Sequence, residues 1–398
     1  MSDYVSRPLD GIKVLDLTSN VAGPMCGQIL VDLGAEVTKV EPPAGEPARR
    51  LLVPSSDGRD FPAYFIPFNR GKRSIALDLK DESDRALLLS LVEETDVFIQ
   101  GNRPGALARL GLGPDRVNDV NPSCIYASLS AFGGEGELGG RPGVDMIVQS
   151  EAGCATGLVG EGGMPMTVGF QVVDTAAGHV LAQAVLAAIL HRERFGVINT
   201  IDVSMYDVAC SLQANHLTRR LNESSLRDAT WEEKNERPAK AVAVAPSGIF
   251  RVADGFVAVS AYVPNHWKKF VAVIGRSDLE ADPRFVSQSD RARNESALNA
   301  ALADELLVWN RDDLVSRMQS EGLMVAPVHT HVDVVTSEMF RHSKMTVEAE
   351  LDGEVVYTLR MPAKYSSFVT DHQRNIPSLG QKADLGEVDA LGRPSGRT

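Results

Sequence analysis

Several common motifs are missing from this sequence, and each absence excludes a class of protein. The four cysteines among the 398 residues have neither paired spacing nor a CxxC motif, so neither a disulfide scaffold nor a thiolate metal site is indicated. HExxH, Walker A and GxSxG sequences are also absent, which argues against zinc, phosphoryl-transfer and serine-hydrolase chemistry. We therefore expect no bound metal.

Positive charge is also in deficit, since the formal net charge is -13 at pH 7. Phosphate backbones are bound by basic surfaces, so this balance disfavours a nucleic-acid partner. The N-terminal sequence MSDYVSRPLDG does not have the layout of a secretory signal. The most apolar stretch, residues 179–190, is shorter than the about 20 residues that cross a bilayer. We expect a cytoplasmic protein without a membrane partner.

Short β-type runs alternate with helical stretches in the first part of the sequence, which is the pattern of a parallel sheet covered by helices. The predicted strands are residues 12–17, 37–40, 74–79, 97–100, 124–130 and 200–203. The predicted helices are residues 26–33, 82–94, 106–110, 174–194 and 205–221. The fold class is therefore α/β, with a Rossmann-like large domain built on a parallel sheet.

The chain is longer than one ordinary core requires, so we predict two domains. A polar, charged stretch at 222–240 indicates a linker, and Asp254-Gly255 between two β-type runs is a strong hairpin signal. Further helical stretches are predicted at 266–274 and 297–319, and strand-like sequence returns over 347–368. We assign residues 1–221 and 326–398 to the large domain, and residues 222–325 to the linker and a smaller α+β domain.

Asp174 stands at the start of the long predicted helix. The helix dipole and free backbone N–H groups stabilise a carboxylate anion at that position, so we expect Asp174 to be ionised at neutral pH. A plain helix cap is the alternative interpretation, because caps far outnumber nucleophiles. The apolar setting, with Val172 and Val173 before Asp174 and a buried helix after it, favours desolvation and reactivity instead.

Asp145, in the segment GRPGVDMIVQ, is a second candidate carboxylate. It follows a turn that contains glycine and proline, and apolar residues come after it. Asp145 could approach Asp174 in space and take part in its chemistry. It could equally serve as a cap for its own short helix at 146–151, and the sequence leaves both interpretations open.

The glycine-rich segment GGEGELGG at 133–140 contains a GxGxxG pattern after a predicted strand. Arg141 and Pro142 follow it where a dinucleotide cradle would continue into a helix, so we reject that function. A mobile loop near an active site is the preferred interpretation, and a plain surface loop is the alternative.

Basic residues cluster in NRGKR at 69–73 and in NRP at 102–104 with Arg109. Both clusters follow predicted strands of one sheet, and ligands of α/β sheets bind at the carboxyl ends of strands. The clusters could bind the phosphates of a nucleotide-like cofactor through charge-assisted hydrogen bonds. Solvated loop charge is the alternative.

Blocks of sequence over nearly the full length resemble the class III CoA-transferase family. This group includes formyl-CoA transferase and carnitine CoA-transferase and shares its fold with α-methylacyl-CoA racemase. The blocks, in the family's order, are PLDGIKVLDLTSNVAGP, LGAEVTKVEPP, NRGKRSIALDLK, NRPGALARLGLG, NPSCIYASLSAFG, GVDMIVQSEAG, VVDTAAGHVLAQAVLAAILHRE and PSLGQ. The resemblance implies an intertwined homodimer that takes CoA or acyl-CoA and a small organic acid as substrates.

The resemblance also implies roles for individual residues. The family's nucleophilic aspartate falls on Asp174, and a supporting carboxylate falls on Asp145. The positions implied to bind CoA are Val21, Ala22, Leu77, Asp78, Leu79, Lys80, Gly101, Asn102, Arg103, Arg109, Arg141, Pro142, Gly143 and Val144.

The activity implied is transfer of CoA from an acyl-CoA donor, with succinyl-CoA suggested by analogy, to a small organic acid. Asp174 would form a mixed anhydride and then an aspartyl-CoA thioester, while the 133–140 loop would exclude water. A racemase or epimerase of the same fold is one alternative, but the racemase branch has a histidine where this chain has Val144, which cannot transfer a proton. A catalytically silent CoA-binding protein is the other alternative.

Overall fold

The computed structural model describes residues 6–54, 58, 60–158, 160, 163–222, 244–370 and 374–380. The chain divides into two compact units, Met1–Leu217 with Lys344–Thr398, and Thr218–Ser343. Of the predicted linker at 222–240, all but its first residue lies outside the described residues.

Six strands build the central sheet of the first unit. They are β1 Lys13–Leu17, β2 Glu36–Glu41, β5 Arg73–Ala76, β6 Val97–Gln100, β7 Ile125–Ser130 and β8 Thr200–Ser204, while β3 Val53–Pro54 and β4 Asp60–Phe61 form a separate small hairpin. The order across the sheet is β5-β2-β1-β6-β7-β8, and every neighbouring pair is parallel. The predicted α/β class with a parallel sheet is confirmed.

Nine helices accompany this sheet in the part of the chain that the structure describes up to residue 222. They are α1 Ala22–Asp32, α2 Ile66–Asn69, α3 Glu82–Val92, α4 Ala106–Arg109, α5 Pro114–Val120, α6 Asp145–Glu151, α7 Val172–Phe195, α8 Met205–Leu212 and α9 Ala214–Leu221. We predicted one helix over 205–221, but it is interrupted at Gln213. The Gln213 side chain donates to the carbonyl groups of Ala152 and Ala209, at 2.9 and 3.1 Å.

Alternate residues of β7 enter two different cores, because side chains of a strand point to opposite faces of the sheet. Ile125, Ala127 and Leu129 pack with residues of α1 and α7. Tyr126 packs in a separate core with residues of α3 and α5. Helices therefore cover both faces of the sheet, with α1 and α7 together on one of them.

Helix α7 is the central helix of the larger core. Val173, Ala177, Leu181 and Val185 are among its buried residues. By length and composition α7 could also cross a membrane, since it has 24 residues and a mean hydropathy of 1.6 over its most apolar window. Our sequence-based estimate of the apolar stretch, residues 179–190, was therefore too short. In this structure the buried side of α7 packs in the protein core.

The second unit contains an antiparallel sheet and several helices. Strands β9 Ser247–Val252, β10 Gly255–Ser260 and β11 Met324–Pro327 form the sheet in the order β11-β10-β9. The predicted hairpin at Asp254-Gly255 is confirmed by the antiparallel pairing of β9 with β10. The helices are α10 Pro264–Val273, α11 Gln288–Arg293, α12 Glu295–Leu307, α13 Arg311–Ser320, α14 His331–Thr336 and α15 Glu338–Ser343.

Two boundaries predicted for this region were wrong. We predicted that the chain re-enters the large domain at residue 326. Instead, β11 pairs with β10 and the second unit continues through Ser343. The single helix predicted over 297–319 is two helices, α12 and α13. The turn of the β9–β10 hairpin is bonded at this break, since Ala253 donates to the Trp309 carbonyl at 2.9 Å and Asp254 accepts the N–H of Arg311, the first residue of α13, at 2.6 Å.

The strand-like sequence predicted over 347–368 is confirmed only in its first part, which forms a hairpin in the first unit that ends at Leu359, and residues 360–368 are not in a strand. Its strands are β12 Thr346–Leu351 and β13 Glu354–Leu359. The assignment of CoA binding and catalysis to the first unit stays a prediction.

Candidate active site

Asp174 lies in the first turn of α7 and is half-buried. The residue before the helix, Gln171, makes no side-chain capping hydrogen bond to it; its amide instead donates to the Tyr64 hydroxyl at 3.1 Å. The first N–H groups of any helix lack partners within the helix. In α7 a side chain from elsewhere in the sequence supplies the partner.

That side chain is Asp145. One of its oxygens, Oδ2, accepts the backbone N–H groups of Val173 and Asp174, at 2.8 and 2.9 Å. The other oxygen, Oδ1, accepts a hydrogen bond from the side-chain amide of Gln149. Asp145 is buried and is the first residue of α6. The sequence left open whether Asp145 approaches Asp174 or only caps its own short helix. In the structure it approaches Asp174, because it caps the helix that carries Asp174.

The surroundings of Asp174 change its acidity. Burial raises the pKa of the Asp174 carboxyl to about 7, and the nearby negative charge of Asp145 adds to the effect. We expected a carboxylate ionised at neutral pH from the helix dipole and the free backbone N–H groups. Desolvation outweighs the dipole here, so the carboxyl titrates near neutrality. A carboxylate that is poorly hydrated yet still ionisable at neutral pH is suited to act as a nucleophile.

The crossing of α1 and α7 brings the first predicted CoA-binding positions to the helix of Asp174. A Cβ atom on Gly178 would lie 2.6 Å from the Ala22 carbonyl oxygen, so the two helices meet backbone to backbone. Gly178 is one turn after Asp174, and residues four apart share a helix face. Val21 and Ala22 therefore lie beside the helix face that carries Asp174. Gly178 permits this approach and was not among the predicted functional residues.

A buried ionic network holds the loop between β1 and α1. Lys39 donates to the Thr18 carbonyl at 3.0 Å and pairs with Glu46 at 2.9 Å. The other oxygen of Glu46 accepts the backbone N–H of Asn20 at 2.7 Å. Asn20 has a φ of 65°, a left-handed conformation that is uncommon for a residue other than glycine. The network thus fixes an unusual backbone conformation just before Val21 and Ala22.

Two of the three cations in the basic cluster at 69–73 are buried and do not have the role that we considered for them. Lys72 is fully buried and pairs with Asp16 at 2.8 Å, and Arg70 is buried against Asp32. Burial alone would raise the pKa of Asp16, but the charges of Lys72 and Lys39 outweigh it and lower the value to about 2. Arg70 and Lys72 are therefore structural cations of the core. Their acidic partners come from β1 and α1, so the local sequence could not reveal them.

The remaining predicted CoA-binding residues lie on loops that follow strands of the sheet or adjoin its helices. Leu77 to Lys80 follow β5, Gly101 to Arg103 follow β6, Arg109 ends α4, and Arg141 to Val144 precede α6. A Cβ on Gly101 would lie 3.6 Å from Thr18, so the loop after β6 packs against the loop after β1. Leu77 is buried, whereas Lys80, Arg103, Arg109 and Arg141 are exposed.

A cavity of about 260 Å³ lies beside β6, β7 and β8. Asn102 and Arg103 line it together with Tyr126 and Ser128. Tyr126 faces the core opposite to that of α7, so this cavity opens on the other face of the sheet. Neither Asp145 nor Asp174 lines it, and we place the candidate active site at the two aspartates because the hydrogen bonds and the raised pKa occur there.

The glycine-rich loop at 133–140 is closed by its own backbone, since Gly140 donates to the Gly133 carbonyl at 3.0 Å. Its middle residues are exposed. A role for this loop as a lid stays a prediction. Among the residues that the structure describes, no group of three or more His, Cys, Asp or Glu side chains is placed to hold a metal ion.

A half-buried carboxylate with a pKa near neutrality, at one end of a parallel α/β sheet, defines the candidate active site of an enzyme. A sequence model of the family described as CoA-transferase family III matches residues 9–383. The chain therefore belongs to CoA-transferase family III, and the resemblance stated from the sequence motifs is confirmed. CoA-transferases use CoA thioesters as substrates, so the coarse assignment as a CoA-transferase follows.

Named relatives extend over nearly the whole chain. The Mycobacterium tuberculosis protein "Probable fatty acyl-CoA transferase Rv3272" is 46% identical, over 92% of this chain and 94% of its own length. Its crystal structure matches with a TM-score of 0.83, at 44% identity, and covers 94% of this chain and 98% of that one. The "Succinate--glutarate CoA-transferase" of Agrobacterium fabrum is 30% identical over 99% of both chains.

Proposed function

We propose that this protein transfers CoA from an acyl-CoA donor to a small organic acid through covalent intermediates on Asp174. The observation that carries the proposal is the position of Asp174. Its backbone is held by Asp145, its carboxyl is half-buried, and its pKa is raised to about 7. An ordinary surface cap of a helix would be hydrated and would titrate at lower pH.

The proposed first half-reaction has two steps. An ionised Asp174 oxygen attacks the thioester carbonyl carbon, the C–S bond breaks, and CoA leaves as a thiolate with the acyl group retained as a mixed anhydride. The thiolate then attacks the aspartyl carbonyl carbon. The acyl group leaves as a free carboxylate, and an aspartyl-CoA thioester remains on the protein.

The second half-reaction reverses these steps with a different acid. The acceptor carboxylate attacks the aspartyl thioester and gives a new anhydride, and the CoA thiolate then attacks the acceptor's carbonyl carbon. Acyl-CoA of the acceptor is released and Asp174 returns to its starting state. Because both half-reactions use the same groups, a single carboxylate nucleophile is sufficient.

The start of α1 supports this mechanism as a source of hydrogen-bond donors. The residue before α1, Val21, makes no side-chain capping bond. Pro24 has no N–H, and the Met25 N–H donates to the Val21 carbonyl. Ala22 and Gly23 therefore supply the candidate N–H donors to an oxyanion. This turn contacts α7 at Gly178, one turn after Asp174. We assign the developing thioester oxyanion to this turn and CoA itself to the loops after β1, β5 and β6.

The donor and the quaternary structure are further parts of the proposal. Relatives named for fatty acyl-CoA and for succinate indicate that donors of both polarities should be tried, with succinyl-CoA first. Val144 and Met146 flank Asp145, and Phe170 precedes Asp174 by four residues; all three apolar side chains are exposed. A contiguous exposed apolar surface marks an interaction site, so burial of these side chains against a second copy would support the intertwined homodimer that the family resemblance implies. Sedimentation equilibrium tests the dimer. Cytoplasmic location stays a prediction.

The experiment that tests the transferase is mass spectrometry after incubation with succinyl-CoA and with a long-chain acyl-CoA, using hydroxylamine or borohydride to trap intermediates. We expect an adduct on the peptide that contains Asp174, and no adduct in the Asp174→Asn variant. Asp207→Asn is the matched control, because Asp207 is an exposed carboxylate in the first turn of α8. The Asp207→Asn variant should form the adduct on Asp174 as the natural sequence does.

Absence of any adduct in the natural sequence, with CoA still bound, would contradict the proposal and favour a silent CoA-binding protein. Exchange of the α-proton of a branched acyl-CoA with solvent deuterium, without an acceptor acid, would favour a racemase. Val144 occupies the position where the racemase branch has its histidine, so we expect no such exchange.

A further inference from the structure

A buried amide joins three parts of the candidate active site. Gln149 lies on α6, four residues after Asp145, and is 1% exposed. Its side-chain N–H group donates to Asp145 Oδ1. Its side-chain oxygen accepts the backbone N–H of Val168 at 2.9 Å. Gln149 therefore connects α6, the carboxylate that caps α7, and the segment that leads into α7.

The orientation of this amide is fixed by its partners. The backbone N–H of Val168 can only donate and the Asp145 carboxylate can only accept. The side-chain oxygen of Gln149 must therefore face Val168, and its side-chain nitrogen must face Asp145. Neither an ionised carboxylate nor an apolar side chain at position 149 can satisfy both partners, because the first has no donor and the second has neither group. The site thus requires a side chain with a donor and an acceptor at this spacing.

Because Gln149 bonds to one oxygen of Asp145, each of the two carboxylate oxygens has its own set of hydrogen-bond donors. Oδ1 is held by Gln149, and Oδ2 accepts the N–H groups of Val173 and Asp174. Without Gln149 the carboxylate would lose the donor that fixes its rotation, and the N–H of the half-buried Val168 would lose its partner. Both changes would loosen the first turn of α7.

We propose that Gln149 is a positioning residue for the transfer reaction, which holds Asp145 in the rotamer that fixes the first turn of α7 and so orients Asp174 for attack. This inference rests on the proposed function of Asp174. Gln149 acts through Asp145 and contacts no reacting group. Its contribution should therefore be to the rate of the covalent step and not to the binding of CoA.

The test compares Gln149→Met with a matched control, Gln28→Met. Methionine keeps the length of the side chain and removes both polar groups. Gln28 is also buried, and its amide donates to Asp32 four residues away at 3.0 Å, but the pair lies on α1. Both substitutions break a buried glutamine–aspartate pair within one helix, but it is Asp145 that accepts backbone N–H groups of α7, whereas Asp32 pairs with Arg70.

We expect Gln149→Met to lower the single-turnover rate of adduct formation about 10- to 100-fold, since small misplacements of a nucleophile have effects of that size. The KM for acyl-CoA should change by less than about threefold, because the predicted CoA-binding loops are not bonded to Gln149. Gln28→Met should retain the natural rate within about threefold. Equal rates for the two variants, or a loss confined to CoA affinity, would overturn the inference.

Hydrogen exchange supplies a measurement that does not depend on activity. In Gln149→Met, amide exchange in peptides covering residues 167–178 should accelerate about tenfold, because the N–H groups of Val168, Val173 and Asp174 lose their fixed partners. Gln28→Met should leave these peptides unchanged. Unchanged exchange in Gln149→Met would overturn the inference, whether or not the natural sequence forms an adduct. A lack of adduct in the natural sequence would by itself contradict only the proposed function.

A third variant tests the role of the amide in a folded protein. In Gln149→Glu, the new carboxyl can take the place of the amide only while it shares a proton with Asp145. We expect adduct formation near neutral pH and a loss of rate at alkaline pH, where both carboxyls ionise and repel each other. The natural sequence should show no alkaline loss in this step. A Gln149→Glu profile identical to that of the natural sequence would contradict the positioning role.

Discussion

The Asp145 carboxylate accepts the backbone N–H of Asp174 at 2.9 Å, so the two acidic residues are connected through the main chain of α7. This connection has two physical effects. The hydrogen bond fixes the first turn of the helix, and the negative charge of Asp145 makes ionisation of Asp174 less favourable. Asp145 therefore contributes both to the position of the nucleophile and to its pKa.

The first prediction concerns the pH dependence of the covalent step. Only the ionised form of Asp174 can attack a thioester, and burial together with Asp145 raises its pKa to about 7. The single-turnover rate of adduct formation should therefore increase with pH below about 7 and level off above it. Quenched-flow measurements with saturating acyl-CoA between pH 5 and 9 would give the midpoint.

Asp145→Asn separates the two causes of the raised pKa. Removing the charge of Asp145 should shift the midpoint to lower pH, but burial is the larger cause and should keep the midpoint above that of a solvated aspartate. The rate at the plateau should also fall, because asparagine cannot accept from Gln149 and from α7 as a carboxylate does. A midpoint near pH 4 in the natural sequence would show that Asp174 is solvated or is not the nucleophile.

The parallel sheet could be predicted from the sequence because its strands are buried on both faces. Val97–Gln100 is an uninterrupted buried run, and its predicted bounds agree with the structure. The long helix after Asp174 could be predicted for the same reason, since apolar residues and basic residues in its last turn form a local pattern. Such features depend on neighbours in the sequence.

The partners within the candidate site could not be predicted in this way. Asp145 binds the N–H of Asp174 across 29 positions, and Lys72 binds Asp16 across 56. No local periodicity records which side chains meet after folding. Gln149 was missed because a glutamine in a short helix is ordinary, and its importance is visible only from its bonds to Asp145 and Val168. A hint was present in the Asp–Gln spacing of four, which places both on one helix face.

The second prediction concerns the crossing of α1 and α7 at Gly178. Within a helix, alanine is intrinsically more favourable than glycine by about 1 kcal/mol. At Gly178, however, the new Cβ would lie 2.6 Å from the Ala22 carbonyl oxygen and from the Cβ of Met25. We expect this clash to outweigh the helix propensity and to lower the free energy of unfolding by about 1–3 kcal/mol, as measured by guanidinium denaturation.

The displacement of α1 should also weaken the binding of acyl-CoA, because Val21 and Ala22 begin that helix. Gly157→Ala is the matched control. A Cβ on Gly157 would meet no atom within 4 Å, so stability and KM should stay close to those of the natural sequence. If Gly178→Ala is more stable than the natural protein, the two helices do not approach as closely as described.

The last prediction follows from the cost of keeping an ionisable carboxyl at a half-buried position. In the unfolded chain Asp174 has a pKa near 3.8, and in the folded protein its pKa is about 7. Between these values the folded state holds a proton that the unfolded state has released, so the free energy of unfolding falls as pH rises through this range. Above pH 7 the full cost of the buried anion is present, and it amounts to roughly 2–4 kcal/mol for a group that keeps part of its hydration.

Asp174→Asn removes this cost because asparagine does not ionise. The variant should therefore be more stable than the natural protein at pH 8 and of similar stability at pH 4, where Asp174 is protonated. Guanidinium unfolding at the two pH values measures the difference, and Asp207→Asn should show no comparable gain because Asp207 is exposed. A gain for Asp174→Asn that is the same at pH 4 and pH 8 would mean that the charge is not its cause. A gain confined to high pH would show that the protein keeps a destabilising anion where the proposed reaction requires one.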